Sequence, residues 1–260
     1  MTTATARDAA LILWQHWQQA TQVDELPSSC RPRSREEGYA IQEEVARLSG
    51  YTRVGWKIAA TSEAGQRHIN VDGPLAGRLL SGRQLQPGAR VSLEGNVMNV
   101  AEAEFAFRMG GSLPARAGSY AVSEVLDAVQ SLHPAIEVPD SRYRDFVRVG
   151  GPQLIADTAC ACWFMIGPPA ADTWRSRDLV AHRVEGYRNG SLSAEGRGAN
   201  VLGDPLVALT WIANELRGLG PGLRAGDVVM TGTCIPPLSI GRGDEVRMSF
   251  GELGEIGASF

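Results

Sequence analysis

Three glutamates are the residues of this chain whose types and spacing could do chemistry. Glu102 and Glu104 alternate with apolar residues in the segment AEAEFAF, so a β-strand here would carry both carboxylates on one face. Glu137 lies inside the apolar run PAIEVP, where an unpaired charge is costly to desolvate and needs a cation or a proton. Three carboxylates without cysteine or histidine favour a hard divalent ion, Mg²⁺ or Mn²⁺. Such a set leaves coordination positions open for water or a chelating substrate, which is typical of a catalytic metal site.

Each part of this pattern also has an ordinary structural interpretation. A Glu-x-Glu pair is usually the solvated face of a strand, and a glutamate in an apolar run is often paired with a basic side chain. Lys57, in the mostly apolar run YTRVGWKIAATS, faces either solvent or a cavity. Asp72, in the sequence Asp-Gly-Pro, is either a turn residue or part of a loop of the kind that forms lids. The residues alone leave these alternatives open.

Composition limits the class of protein. With 260 residues, of which 43% are hydrophobic, the chain can bury a sizeable core. A net charge of −4 and the lack of basic runs interleaved with aromatic residues argue against nucleic-acid binding. Polar residues interrupt the N-terminal apolar patch too early for a signal or membrane-spanning segment, so we expect a cytoplasmic protein that does not bind membranes. The four cysteines lack the spacing of a zinc site.

The elements that must position these residues fall into two predicted parts. Residues 1–52 are expected to form a helical portion, with one helix over Arg7–Ala20 and a second over Ser34–Ser49 that Gly50 terminates. Residues 53–260 are expected to form a mixed β catalytic domain, because glycines and prolines are spread among short strands. The fold class predicted is therefore α+β.

Within the second part, five local structures are predicted from turn residues and apolar spacing. They are a mobile loop from about Ala64 to Gly82 that carries Asp72 as a lid, a helix from Ser123 to Leu132 ended by His133-Pro134, one or two buried strands in residues 153–167, a hairpin turning at Asn189-Gly190, and a helix from Asp204 to about Arg217.

Six segments together resemble the fumarylacetoacetate hydrolase superfamily, and within it the group of 2-hydroxypenta-2,4-dienoate (2-keto-4-pentenoate) hydratases and 4-oxalocrotonate decarboxylases. They are VGWKIAATS, VDGPLAGRLL, AEAEFAF, AIEVPDSRY, GANVLGDPLVALTWIANEL and LRAGDVVMTGT, in the order that the family has them. The resemblance implies a mixed β-sheet roll. It also implies that Glu102, Glu104 and Glu137 are metal ligands, that Lys57 is the active-site lysine, and that Asp72 is the acid of an active-site loop.

The chemistry implied by the resemblance is hydration of a 2-hydroxydienoate to a 4-hydroxy-2-oxo acid in aromatic catabolism, by a homo-oligomer that acts on a small molecule. Decarboxylation of a 2-oxo-3-enedioate and a non-catalytic partner subunit are the alternatives. Lys57 in an apolar surrounding is expected to have a lowered pKa and to transfer protons, with Asp72 as its partner. Three features depart from the family pattern, and the first is Pro139, where members usually have an aliphatic residue. Cys160 lies near where members often carry serine or threonine, and the His-x-x-Glu pair of the C–C hydrolases is missing.

Overall fold

The computed structural model describes residues 1–219 and 222–260, which form two β-sheets accompanied by six α-helices. The helices and strands, in chain order, are α1 (Thr3–Gln19), α2 (Arg35–Ser49), β1 (Arg53–Ala59), α3 (Glu63–His68), β2 (Leu75–Leu80), β3 (Gln84–Leu85), β4 (Val100–Met109), α4 (Val122–Asp127), β5 (Val129–Val138), α5 (Gly151–Ala156), β6 (Trp163–Ile166), β7 (Arg183–Arg188), β8 (Ser191–Arg197), α6 (Pro205–Leu216), β9 (Val228–Thr233), β10 (Leu238–Ser239), β11 (Glu245–Ser249) and β12 (Glu255–Ser259).

The larger sheet is mixed and places the site-bearing strands side by side. Its order is β2-β1-β9-β4-β5-β6-β3, with β10 paired to β4, and most of its pairings are antiparallel. β1 and β9 are parallel neighbours, as are β3 and β6. The second sheet has the order β12-β11-β7-β8. The predicted α+β architecture, a mixed β-sheet with an N-terminal helical region, is confirmed.

The N-terminal helices follow the predicted signals closely. α1 begins at Thr3, ahead of the predicted Arg7. The Ser34 hydroxyl accepts a hydrogen bond from the Glu37 amide at the start of α2, and Gly50 ends that helix with a φ of 69°. The division of the chain into residues 1–52 and 53–260 stays a prediction.

The predicted helix over 123–132 is wrong in its second half. α4 ends at Asp127, and Val129 begins β5, which runs through His133 and Pro134 to Val138. Pairing with β4 between Val129 and Glu137 decides the conformation, because the segment gains backbone hydrogen bonds to a neighbouring strand. Val129 and Leu132, two of the apolar residues that suggested a helix face, are buried in the strand instead.

Residues 153–167 were predicted as buried strands, and only Trp163–Ile166 form one. The first part of the run is α5, in which Gln153, Leu154, Ile155 and Ala156 are all buried. A short apolar run that is buried on every side shows neither the 3.6-residue spacing of a helix nor the two-residue alternation of a strand. The sequence therefore could not distinguish helix from strand here. The second part is a turn at 158–160.

The predicted loop from Ala64 to Gly82 is also partly wrong, because α3 occupies its start and β2 its end. The hairpin at Asn189-Gly190 and the helix after Asp204 are confirmed. Within the described residues, the structure contains no helix that is both long and apolar enough to cross a membrane.

Candidate metal centre and active-site cavity

Strand pairing brings the three predicted carboxylates together. Glu102 of β4 lies directly opposite Glu137 of β5, and Glu104 lies opposite Thr233 of β9. One oxygen from each glutamate lies within 4.8 Å of the others. Glu104 and Glu137 are fully buried, and Glu102 is half-buried. The parity of AEAEFAF therefore places both β4 carboxylates on one face, and β5 adds the third.

Two oxygens of the buried carboxylates have no polar partner. The Gly232 amide donates to Glu104 Oε2 at 2.8 Å and the Lys57 ammonium pairs with Glu137 Oε1 at 3.0 Å, but Glu104 Oε1 and Glu137 Oε2 have no partner among the described residues. A buried carboxylate oxygen without a donor costs free energy that a cation would recover. The three converging carboxylate oxygens, one from each glutamate, fit a hard divalent ion such as Mg²⁺ or Mn²⁺.

Gly232 is required for the one donor that does reach Glu104. Its φ of 102° is in the left-handed region, and a Cβ there would collide with the side chain of Thr61. The segment VVMTGT thus has glycine at its fifth position because the backbone must turn the Gly232 amide into the carboxylate cluster.

Lys57 of β1 lies against this cluster rather than in solvent. Its Nζ is 3.0 Å from Glu137 Oε1 and donates to the carbonyl oxygen of Ala159 at 3.0 Å. The residue is 3% exposed, so the interpretation as a solvent-facing lysine is wrong. It is also the only lysine in the sequence, all other residues of the Lys+Arg count being arginines.

The expected lowering of the Lys57 pKa is wrong for the protein without metal. Burial acts to lower the pKa, but the charges of Glu137, Glu102 and Glu104 outweigh it and raise the pKa above its usual value. Burial and the charge of Glu137 raise the pKa of Glu102 to about 7, against the opposing effect of Lys57. The same two causes raise the pKa of Glu104 well above its usual range. The lysine is thus held as a cation among carboxylates that favour protons.

A cavity of about 530 Å³ opens over Lys57 and Glu102. Its walls are mainly apolar and include Ile58, Leu75, Met98, Phe146, Leu154 and Ile235. Cys160 also lines it, and burial raises the pKa of that thiol to about 12, so the thiol is neutral. A cleft of this size with a few convergent polar groups is the usual form of a small-molecule site.

Asp72 is not brought to the cluster. It is exposed on the connection between α3 and β2 and does not line the cavity. Two contacts of the site were missed by sequence reasoning, namely the Ala159 carbonyl on Lys57 and the Gly232 amide on Glu104. A backbone group can belong to any residue type, so sequence patterns do not reveal such contacts. Gly232 was the one residue whose type could have indicated an unusual backbone conformation there.

The fold and this site define a family. The model of the fumarylacetoacetate (FAA) hydrolase C-terminal family matches residues 83–260, and the chain belongs to that family. It is 33% identical over 226 residues to a 2-keto-4-pentenoate hydratase of Burkholderia vietnamiensis, covering 85% of this chain and 84% of that one. It is 32% identical over 230 residues to a 2-hydroxyhexa-2,4-dienoate hydratase of Comamonas testosteroni, covering 86% of each.

Among solved structures, the chain resembles 4-oxalocrotonate decarboxylase from Pseudomonas putida G7, which was complexed with magnesium and adipate. The TM-score is 0.90 at 25% sequence identity, over 100% of this chain and 98% of that one. A second structure of the same decarboxylase, with calcium and acetate, gives a TM-score of 0.88. The family and the fold expected from the sequence are confirmed.

Proposed function

We propose that the protein is a divalent-metal-dependent hydro-lyase that converts a 2-hydroxy-2,4-dienoate into a 4-hydroxy-2-oxo acid. The observation that carries the proposal is the cluster of Glu102, Glu104 and Glu137, in which Glu104 Oε1 and Glu137 Oε2 have no partner among the described residues, beside Lys57 in an apolar cavity. The names of the hydratases to which the chain is about one-third identical support the reaction type.

The three glutamates would hold Mg²⁺ or Mn²⁺. When bound, such an ion supplies Lewis-acid polarisation of a substrate's carboxylate and adjacent oxygen. The presence of magnesium or calcium in the two decarboxylase structures agrees with an ion of this class.

Lys57 is the group proposed to handle protons. Ketonisation of the dienoate requires that the 2-hydroxyl lose a proton and that C5 gain one, after which water adds its oxygen to C4 and a hydrogen to C3. Its Nζ lies 3.0 Å from Glu137 Oε1 and the residue lines the cavity. From this position an ammonium can stabilise negative charge on the dienolate and deliver a proton to carbon as a general acid.

The lining of the cavity favours hydration over the alternatives. A 2-oxo-3-enedioate carries a second carboxylate that needs a cationic partner, yet no arginine lines the described part of the cavity and Lys57 is already paired with Glu137. The exposed His68 is the remaining basic side chain there. A non-catalytic partner subunit would have no need for a buried lysine among three buried acids, because that arrangement is costly.

Product identity tests the proposal. Purified protein with Mg²⁺ is incubated separately with 2-hydroxypenta-2,4-dienoate and with 2-oxo-3-hexenedioate, and the products are identified by mass. We expect the dienoate to gain one water. Loss of carbon dioxide from the enedioate without hydration of the dienoate would replace the proposal with the decarboxylase.

We further propose that Asp72 reaches the cavity when the segment 62–74 closes over bound substrate. The segment includes α3, which has no buried residue, and its members Ala64, Gly65 and His68 line the cavity. Oxalate, an oxo-acid analogue, should increase protection of 62–74 from hydrogen exchange while the neighbouring strand β2 stays unchanged. Equal protection with and without oxalate would remove Asp72 from the reaction.

The cell location and assembly state are also proposals. All four cysteines are buried free thiols, which suits a reducing cytoplasm. Leu11 and Tyr51, 45% and 41% exposed in or beside the N-terminal helices, offer apolar surface for a homo-oligomer. Light scattering of the purified protein would reject the oligomer if it gave the mass of a single chain.

A further inference from the structure

The turn that holds Lys57 has a backbone conformation that should not persist unaided. Thr158, Ala159 and Cys160 all have positive φ, at 52°, 50° and 63°. The left-handed region is unfavourable for residues with a Cβ, and three in succession is rare. The middle residue supplies the carbonyl that accepts a hydrogen bond from Lys57 Nζ at 3.0 Å. Strain is therefore concentrated at a contact of the active site.

A buried ion pair clamps this turn at both ends. Arg142 and Asp157 side chains are 3% and 1% exposed, and Arg142 Nε donates to Asp157 Oδ1. Arg142 Nη2 also donates to the Asp157 carbonyl at 2.6 Å and to Thr158 Oγ1 at 3.2 Å, while Nη1 donates to the Ala161 carbonyl at 3.2 Å. One rigid guanidinium thus binds the residue before the turn, its first residue and the residue after it.

The clamp also joins the turn to the strand of Glu137. β5 ends at Val138, and the Asp140 amide donates to the Cys160 carbonyl at 2.9 Å. The Ser141 hydroxyl donates to Asp157 Oδ2 at 2.9 Å. On the other side, the turn packs directly on β2, where a Cβ on Gly77 would collide with the Thr158 carbonyl. Gly77 is the β2 partner of Lys57.

We propose that Arg142 and Asp157 are positioning residues for the reaction, which hold the 158–160 turn in its left-handed form so that the Ala159 carbonyl fixes the direction of the Lys57 ammonium. The inference rests on the proposed function only in assigning a proton transfer to Lys57. The clamp does not touch the cavity. It acts through the carbonyl by restricting Nζ to the place between Glu137 and Ala159.

A double-mutant cycle tests whether Arg142 acts through Lys57. The variant Arg142→Gln/Asp157→Asn removes the charged clamp without leaving one buried charge unpaired. Its kcat on the dienoate should fall about 10–100-fold, as is usual when a supporting hydrogen-bond partner is lost. Mg²⁺ affinity should stay within about twofold of that of the parent protein, which is below the effect of losing a supporting partner of a ligand.

The second arm of the cycle places the same two substitutions in a protein that carries Lys57→Met. There they should change kcat by less than about twofold, because no lysine remains to position. An equal fall in both backgrounds would overturn the proposal.

A second measurement needs no turnover. Because the chain has a single lysine, protein made with lysine labelled with heavy nitrogen gives one side-chain ammonium signal, that of Lys57. The signal should move in the clamp variant, and in the same direction in the milder Thr158→Val, which removes one acceptor at nearly constant volume. An unmoved signal in both variants overturns the proposal even if the protein proves to catalyse another reaction.

Glycine rescue provides the matched control. Ala159→Gly added to the clamp variant should restore part of kcat and return the ammonium signal toward its original position, because glycine adopts the left-handed conformation freely. Ala161→Gly is the same change two residues away, at an ordinary φ of −61°, and should restore neither. Equal restoration by both glycines, or by neither, would contradict a role for backbone strain.

Discussion

Replacing Lys57 by methionine is expected to lower turnover of a 2-hydroxydienoate by about 10²–10⁴-fold, the usual range for a lost general acid–base group. Methionine fills a similar volume but can neither carry charge nor donate a proton. Mg²⁺ affinity should not fall, since a cation 3.0 Å from Glu137 has been removed. The two measurements on this variant are steady-state turnover and calorimetric titration with Mg²⁺.

Lys57→Arg separates charge from proton transfer. The guanidinium keeps a positive charge but does not release a proton at working pH, so turnover should remain low if transfer is what matters. Near-normal turnover of the methionine variant would remove Lys57 from the mechanism. Recovery by arginine alone would leave the lysine as a purely electrostatic group.

Elements whose signals are local were predictable from the sequence. α2 has a capping serine at Ser34 and a glycine terminator at Gly50, and both lie where the pattern put them. The alternation around Glu102 and Glu104 correctly gave a strand with both acids on one face. Such signals consist of a few consecutive residues and do not depend on pairing with strands that are distant in sequence.

Elements decided by distant partners were not predictable. Val129–Pro134 became strand because β4 pairs with it, and the apolar run after Gln153 became helix. That Glu102 faces Glu137 depends on register, and a shift by one residue would have turned the carboxylates apart. The resemblance to a family predicted that Glu137 joins Glu102 and Glu104 in one metal site, which the spacing of the residues alone does not determine.

The charge state of Lys57 is a further case in which context overrides composition. An apolar sequence neighbourhood predicted a lowered pKa, but three carboxylates from β4 and β5 reverse the direction. Strands far apart in sequence create the electrostatic environment of a residue, so the pKa of a buried group cannot be read from its neighbours along the chain.

Glu137→Gln is expected to weaken Mg²⁺ binding by more than about 100-fold, beyond the usual effect of losing only a supporting partner of a ligand. The fold should persist, because glutamine has nearly the same shape and Glu102 and Glu104 remain near the Lys57 ammonium. Thermal unfolding without metal should occur at no higher temperature than in the parent protein, because the change breaks the buried pair between Glu137 Oε1 and Lys57 Nζ.

Glu215→Gln is the matched control for this change. Glu215 accepts hydrogen bonds from Arg35 and the Tyr39 hydroxyl at 2.6 and 2.9 Å, and it does not line the cavity. Its replacement removes a partly buried carboxylate of the same kind and should leave Mg²⁺ affinity within about twofold of that of the parent protein, well short of the effect of a lost ligand.

Calorimetric titration of the parent protein, Glu137→Gln and Glu215→Gln with Mg²⁺ is the measurement that most directly tests the carboxylate cluster as a metal centre. The expected result is one ion bound per chain in the parent protein and in Glu215→Gln, with binding nearly lost in Glu137→Gln. Equal Mg²⁺ affinity in all three proteins would contradict a metal centre at Glu102, Glu104 and Glu137.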